Sequence, residues 1–231
     1  MHIAIIGNGK MGTAAAAIAE ERGHTIQTLI RRAENADGQA LTPERLRGVD
    51  VALEFTRPDC VVRNLERLSE LGIPTVTGTT GWADELPRVS QWFRDRRGAL
   101  LHAANFAVGV HLFLRAAREM ARAFRGRSEF NVSIEEEHHQ FKLDAPSGTA
   151  LLLQGQLRAE DQHRNFPISS TRVGDALGTH VLSYQGPYET VTLRHDTQSR
   201  KTFAVGAISA AEWLPGHVGV FTFEQMLFGL S

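Results

Sequence analysis

Residues 2–12 read His2-Ile3-Ala4-Ile5-Ile6-Gly7-Asn8-Gly9-Lys10-Met11-Gly12. A short apolar run of strand length ends in glycines spaced G-x-G-x-x-G. The first glycine permits a tight turn, the second lets the backbone approach a pyrophosphate, and the third lets helix pack on strand. A helix read over Ala14 to Glu21 opens on this turn, and its N-terminus offers unpaired N–H groups to phosphates. Gly23 ends that helix, and Thr25 to Ile30 reads as the next strand. The chain therefore opens with a βαβ unit shaped for a dinucleotide, and Gly7, Asn8, Gly9, Lys10, Met11 and Gly12 form its turn.

The end of the second strand should read the adenosine ribose, and an acid there binds the 2′-hydroxyl of NAD. This chain carries Arg31-Arg32 instead, with Glu34 the nearest acid. Two guanidiniums suit a 2′-phosphate. NADPH is therefore expected in preference to NADH.

Outward from this unit the alternation continues. Val49 to Phe55, Ile73 to Val76 and Ala99 to His102 read as strands. Pro58 to Leu71 and Glu85 to Arg96 read as helices, the first with apolar residues at Val61, Val62, Leu65 and Leu68. Alternating strands and helices predict an α/β fold with a doubly wound parallel sheet. After Asn105 the pattern changes. A long apolar helix at Val108 to Phe124 is followed by a strand at Asn131 to Glu136 and a helix at Thr149 to Arg158. Strands follow near Ser169 to Val173, His180 to Tyr184 and Glu189 to Arg194. This predicts a smaller α+β domain over residues 107–200. Residues 1–106 and 201–231 are expected to form the dinucleotide-binding domain, the helix from Thr202 through Trp213 returning to it.

The chain has 231 residues, 42% hydrophobic and 22% charged, with a net charge of -1. That balance argues against general nucleic-acid or membrane binding. A single cysteine, Cys60, forbids an intrachain disulfide and fits a reducing compartment. No basic-then-apolar leader and no apolar run of about 20 residues is present, so a cytoplasmic protein is expected. Of 25 basic residues only Lys10, Lys142 and Lys201 are lysine. These three are candidates for positions that need a compact ammonium rather than a guanidinium.

The second informative stretch runs Glu137-His138-His139-Gln140-Phe141-Lys142-Leu143-Asp144-Ala145-Pro146-Ser147-Gly148-Thr149-Ala150. Asp144 or Ser147 can cap the next helix, and Pro146 suits its first turn. Gly148 admits a ligand close to the backbone and Thr149 adds a hydroxyl, so this helix start suits a carboxylate. Two histidines and a lysine just upstream supply a proton donor tunable near neutral pH and a fixed cation. Glu135, Glu136 and Glu137 could favour the protonated imidazole, although solvated strand positions explain at least two of them. No cysteine accompanies the histidines and no HExxH motif occurs, so no metal is expected.

In this stretch the sequence resembles the dihydrodipicolinate reductase family, whose hallmark is E-x-H-H-x-x-K-x-D-A-P-S-G-T-A. Glu136, His138, His139, Lys142 and the unbroken run Asp144 to Ala150 match it. The resemblance extends over nearly the whole chain. It includes Phe55-Thr56 with Pro58, Gly78-Thr79-Thr80-Gly81, Ala103-Ala104-Asn105-Phe106, Gly174-Asp175 with Gly178-Thr179-His180, His195 with Ser199-Arg200, and Phe203 to Ala207. It departs at Glu54, where aspartate is usual, at Ala107, where serine is common, and in the short span before Val49.

The resemblance implies a Rossmann domain joined to an α+β substrate and oligomerisation domain, assembled as a homotetramer. The implied reaction is NAD(P)H-dependent reduction of dihydrodipicolinate (4-hydroxy-tetrahydrodipicolinate) in lysine and diaminopimelate biosynthesis. His138 would be the proton donor and Lys142 a second one. His139, Gly148 and Thr149 would bind substrate carboxylates. Gly7 to Gly12, Gly78, Thr79, Thr80 and Ala103 to Phe106 would contact the dinucleotide. Hinges would lie at Asn105 to Gly109 and near Lys201. The rival readings are a two-domain dehydrogenase acting on another small carboxylate, and a non-catalytic nucleotide sensor on the same fold.

Overall fold

A computed structural model describes residues 1–230. The chain divides into two compact units. One is Met1–Ala107 together with the chain from Lys201 onward, and the other is Val108–Arg200.

The first unit is a six-stranded parallel sheet. Its strands are β1 (His2–Ile6), β2 (Thr25–Ile30), β3 (Val51–Glu54), β4 (Thr75–Thr77), β5 (Ala99–His102) and β10 (Gly219–Thr222), ordered β10-β5-β4-β3-β1-β2. Their side chains are apolar on both faces because helices cover both. Helix α1 (Lys10–Glu21) packs against α6 (Lys201–Trp213), and α2 (Val61–Glu70) packs against α3 (Leu86–Asp95). Val61, Leu65, Trp82, Val89, Phe93 and Leu100 form one core cluster. Ala4, Ile6, Ile30, Leu41, Leu46 and Leu68 belong to another.

Strand order reverses between β1 and β3, and ligands of open α/β sheets bind beyond the strand carboxyl ends at such a point. Gly7 follows β1 there, in the left-handed region at φ 100°. A Cβ on it would lie 2.1 Å from the Phe55 carbonyl oxygen, and one on Gly12 would lie 1.9 Å from the Gly7 carbonyl oxygen. Only glycine fits either position. The span between β2 and β3 holds two short 3-10 turns, Arg32–Glu34 and Ala36–Gly38, and no strand, so β2 ends the sheet. Ala40, Leu41, Leu46 and Val49 fill the core from this shortened span.

The second unit has helices α4 (Val108–Phe124) and α5 (Gly148–Glu160). Its sheet has strands β6 (Asn131–His138), β7 (Ile168–Arg172), β8 (Thr179–Gln185) and β9 (Thr190–Asp196), ordered β7-β6-β8-β9. β6 runs parallel to β7 and antiparallel to β8. α4 packs on α5 and β9, and α5 on β6. Alternation on β6 and β8 aims Ile134, Glu136, His138, His180, Leu182 and Tyr184 inward, all buried.

Some expectations need correction. The first helix begins at Lys10 rather than Ala14, directly on the glycine turn. The strand read from Val49 shortens to Val51–Glu54, because Val49 is apolar to fill the core rather than to join the ladder. The first strand of the second unit runs two residues further, to His138. Gly219–Thr222 and the following helix α7 (Phe223–Phe228) were not expected. The run opens on a glycine and shows no apolar alternation, and only pairing with β5 makes it a strand. No helix among the described residues is long and apolar enough to cross a membrane.

Candidate active site

Each unit carries some of the candidate site residues. In the first, Ile6, Gly7, Asn8, Gly9, Arg31 and Arg32 help to line a cavity of about 220 Å³ at the switch point, with Asn35, Phe55 to Arg57 and Cys60 completing the wall. No side chain caps α1, which leaves its first-turn N–H groups to a ligand or water, and the Cβ direction at Gly9 points into open space. These features fit a pyrophosphate resting on the turn. Arg31 and Arg32 are both exposed at the rim. Glu34, the acid that might have read a ribose, accepts the Arg31 backbone N–H at 2.7 Å and pairs with Arg45 at 3.4 Å. Those contacts hold its carboxyl below the usual range, the backbone bond foremost.

A second cavity of about 240 Å³ brings Thr79, Thr80, Gly81, Trp82, His102, Ala103 and Ala104 together. Burial pushes the His102 imidazole down, so it is neutral at pH 7. Phe106 is not on this wall. Its ring is buried edge-on against Phe55 and Phe223, so it can meet a ligand only through its backbone. Asn105 accepts the Ala107 N–H at 2.7 Å, which fixes the chain where the first unit ends.

In the second unit the centre is a chain of side chains from three strands. Arg172 on β7 donates to Glu136 at 2.8 Å, and Glu136 receives the Nδ1 proton of His138. Glu136 is directly opposite His180 in the β6–β8 register. Burial opposes charge on Glu136, yet bonds from Arg172, Ser170 and His138 outweigh it and draw its pKa down to about 2. A carboxylate on Nδ1 fixes the tautomer and leaves Nε2 able to take up or release a proton. Burial pushes the His138 pKa below its usual 6.5, with Glu136 opposing and Lys142 and Arg172 adding to the fall. The imidazole is therefore neutral at pH 7 in the free protein. Of the three glutamates proposed to hold it protonated, only Glu136 reaches it, because Glu135 and Glu137 face the other side of the strand. Gly178 makes room for the ring: at φ 146° it would place a Cβ 3.0 Å from Nε2.

The helix cap is Ser147, whose hydroxyl accepts the Ala150 N–H at 3.2 Å. Asp144 is not the cap, and Pro146 lies before the cap rather than in the first turn. Asp144 instead binds the Lys142 ammonium at 2.7 and 2.9 Å and accepts the Gly148 N–H. An exposed carboxylate of the chain itself thus holds Lys142, read as a second proton donor, and the N–H of Gly148, read as a carboxylate ligand. His139 lies just past the strand, half-buried, with its Nδ1 unbonded, and Thr149 sits half-buried in the first turn. Carboxylate and imidazole atoms of Glu136, His138 and His180 lie within 4.8 Å of one another, a set able to ligate a divalent ion. Arg172 already occupies the carboxylate, however, and Lys142 adds positive charge nearby, which disfavours a cation there.

The model of dihydrodipicolinate reductase N-termini matches residues 1–106, and that of dihydrodipicolinate reductase C-termini matches residues 109–227. The chain belongs to the dihydrodipicolinate reductase family. A 4-hydroxy-tetrahydrodipicolinate reductase of Christiangramia forsetii is 31% identical over 241 residues, covering 100% of this chain and 99% of that one. A second, from Thiobacillus denitrificans, is 32% identical over 265 residues, covering 98% of each. The dipicolinate-bound dihydrodipicolinate reductase of Paenisporosarcina sp. TG-14 shares the fold, with a TM-score of 0.80 at 22% identity over 98% of this chain and 99% of that one. As a member of the family the chain is a nicotinamide-dependent oxidoreductase.

Family membership leaves the site's supporting residues to be found in the structure. Arg172 and the place of His180 beside Glu136 escaped the sequence reading, whereas Ser147 is one of the two caps it offered. His180 is buried, donates or accepts with the Ser147 hydroxyl at 3.2 Å, and is pushed by burial to a pKa of about 4. The strand pattern held a usable signal: period two puts Glu136 with His138 and excludes Glu135 and Glu137. Nothing local marked Arg172, which reaches the site only through β6–β7 pairing.

Proposed function

We propose that this chain reduces 4-hydroxy-tetrahydrodipicolinate to tetrahydrodipicolinate, with NADPH preferred, as a homotetramer in the cytoplasm. The observation that carries the reading is the Arg172–Glu136–His138 chain beside Lys142 and the capped start of α5. Two cationic or N–H-rich anchors suit a small dicarboxylate, and a tautomer-fixed imidazole suits delivery of one proton.

Lys142 and the Gly148 and Thr149 N–H groups hold the carboxylates, with His139 beside them. Asp144 must first give up Lys142 and Gly148. A dianionic substrate raises the pKa of the nearby His138, so the imidazole becomes charged on binding. When bound, a nicotinamide would supply the hydride for the electron-poor carbon. His138 then delivers its Nε2 proton to the charge that hydride transfer leaves, and Glu136 stabilises the charged ring until then. On the cofactor side, Gly7 to Gly12 receive the pyrophosphate and Arg31 and Arg32 the 2′-phosphate, while Gly78 to Thr80 and Ala103 to Phe106 line the remainder.

The test is the loss of nicotinamide absorbance when enzymatically generated substrate is added to the protein and NADPH. Turnover is expected with NADPH, and more weakly with NADH. No oxidation in the presence of substrate would overturn the reading. Replacing Arg31 and Arg32 by alanine should cost NADPH kcat/KM about tenfold or more, from the loss of charge-assisted bonds, and leave NADH nearly unchanged. Equal losses for both cofactors would refute the 2′-phosphate role.

A further inference from the structure

Glu54, at the carboxyl end of β3, is completely buried, and among the described residues no cation pairs with it. Thr77 and Thr79 donate to one of its oxygens at 2.8 and 2.7 Å. Thr56 and Asn64 donate to the other, Asn64 at 3.2 Å. Burial pushes the carboxyl pKa up, and these four bonds pull against it.

Backbone N–H groups, which can only donate, start each path and fix the direction of the asparagine one. The Ala40 N–H donates to the Asn35 oxygen at 3.1 Å, so the Asn35 amide nitrogen donates to Asn64 at 2.9 Å. The Asn64 nitrogen must then donate to Glu54. The Thr56 N–H donates to the Thr79 hydroxyl at 2.8 Å, and that hydroxyl donates on to Glu54. The Thr79 N–H approaches the Thr77 hydroxyl at 3.4 Å, with the same result. Each path starts at a backbone donor and ends on Glu54, which acts throughout as an acceptor. Those paths hold Asn35 and Thr56 in the wall of the first cavity and Thr79 in the wall of the second.

We infer that Glu54 is a positioning residue for the dinucleotide: as an acceptor-only carboxylate it locks both cofactor-facing loops in one geometry. The inference rests on the cofactor reading of the first unit and is independent of the substrate. A glutamine amide in its place must present N–H to at least one pair of donors, which reverses or breaks a path whichever way it is turned.

The experiment is fluorescence titration of NADPH into wild type and Glu54→Gln, with steady-state kinetics beside it. The cofactor Kd and KM are expected to rise about tenfold or more, since buried donors lose their acceptor, while kcat at saturating cofactor stays within about twofold. Glu54→Asp keeps the charge and should lie between the two. An unchanged Kd in folded Glu54→Gln, a fall in kcat alone, or a weaker binder in Glu54→Asp than in Glu54→Gln overturns the inference. If Glu54→Gln does not fold, Thr77→Val removes one donor at similar volume, and an unchanged Kd there overturns it equally. Wild type failing to bind NADPH would instead refute the cofactor reading itself.

Discussion

At the scale of single residues, the second unit sets proton chemistry by opposing burial to charge. In the proposed reaction His138 must carry a proton to deliver one, and its pKa in the free protein lies below the usual 6.5. The kcat/KM for substrate should therefore fall as pH rises through that value. Glu136 raises the His138 pKa, so Glu136→Gln should move the fall to lower pH; a profile unmoved on a folded variant would remove Glu136 from the proton chemistry. Glu136 itself falls from 4.5 to about 2 on folding. Its stabilising contribution, on the order of 3 kcal/mol, is complete above pH 4.5 and is lost as pH falls toward 2. In urea denaturation the stability gap between wild type and Glu136→Gln should accordingly narrow from pH 7 to pH 3. Asp144 competes for Lys142 and the Gly148 N–H. Asp144→Asn should thus lower the substrate KM in initial-rate assays, and a raised KM would show that the carboxylate orders the loop rather than blocks it.

At the scale of elements, the start of α5 combines stability with binding. Ser147 caps the helix and also bonds His180. Ser147→Ala removes both contacts, and losing the cap alone costs about 1 kcal/mol. Thermal denaturation should show a fall of a few degrees, about 2–4 °C for a chain of this size. An unchanged midpoint would mean that water replaces the hydroxyl at no cost. The same element shows where local reading stops. Ser and Asp are both good caps by type, and only the path of the chain into the helix puts Ser147 at the cap and turns Asp144 toward Lys142.

At the scale of the whole molecule, the first unit is discontinuous in sequence. Helix α6 buries Ala204, Gly206, Ala207, Ile208, Ala210 and Ala211 and packs on α1, and β10 closes the sheet beside β5. A chain truncated after Arg200 should lose cooperative unfolding of the first unit and NADPH binding with it, because α1 and β5 would expose apolar surface to water. Circular dichroism melts and NADPH titration check this; a truncated chain that still melts sharply and binds NADPH would show that α6 and β10 are dispensable.

The sequence by itself determined five of the six strands of the first unit, the glycine turn and the His138 to Ala150 segment. Each of these is written in residues close together in the chain, by period-two and helical patterning and by glycines that no other residue can replace at such approach distances. Tertiary structure alone decided that β10 is a strand, that Arg172 and His180 join Glu136 and His138, and that Glu54 gathers three threonines and one asparagine. Those contacts join residues far apart in sequence, and whether a polar side chain there is solvated or buried with partners depends on strand pairing that no local pattern encodes.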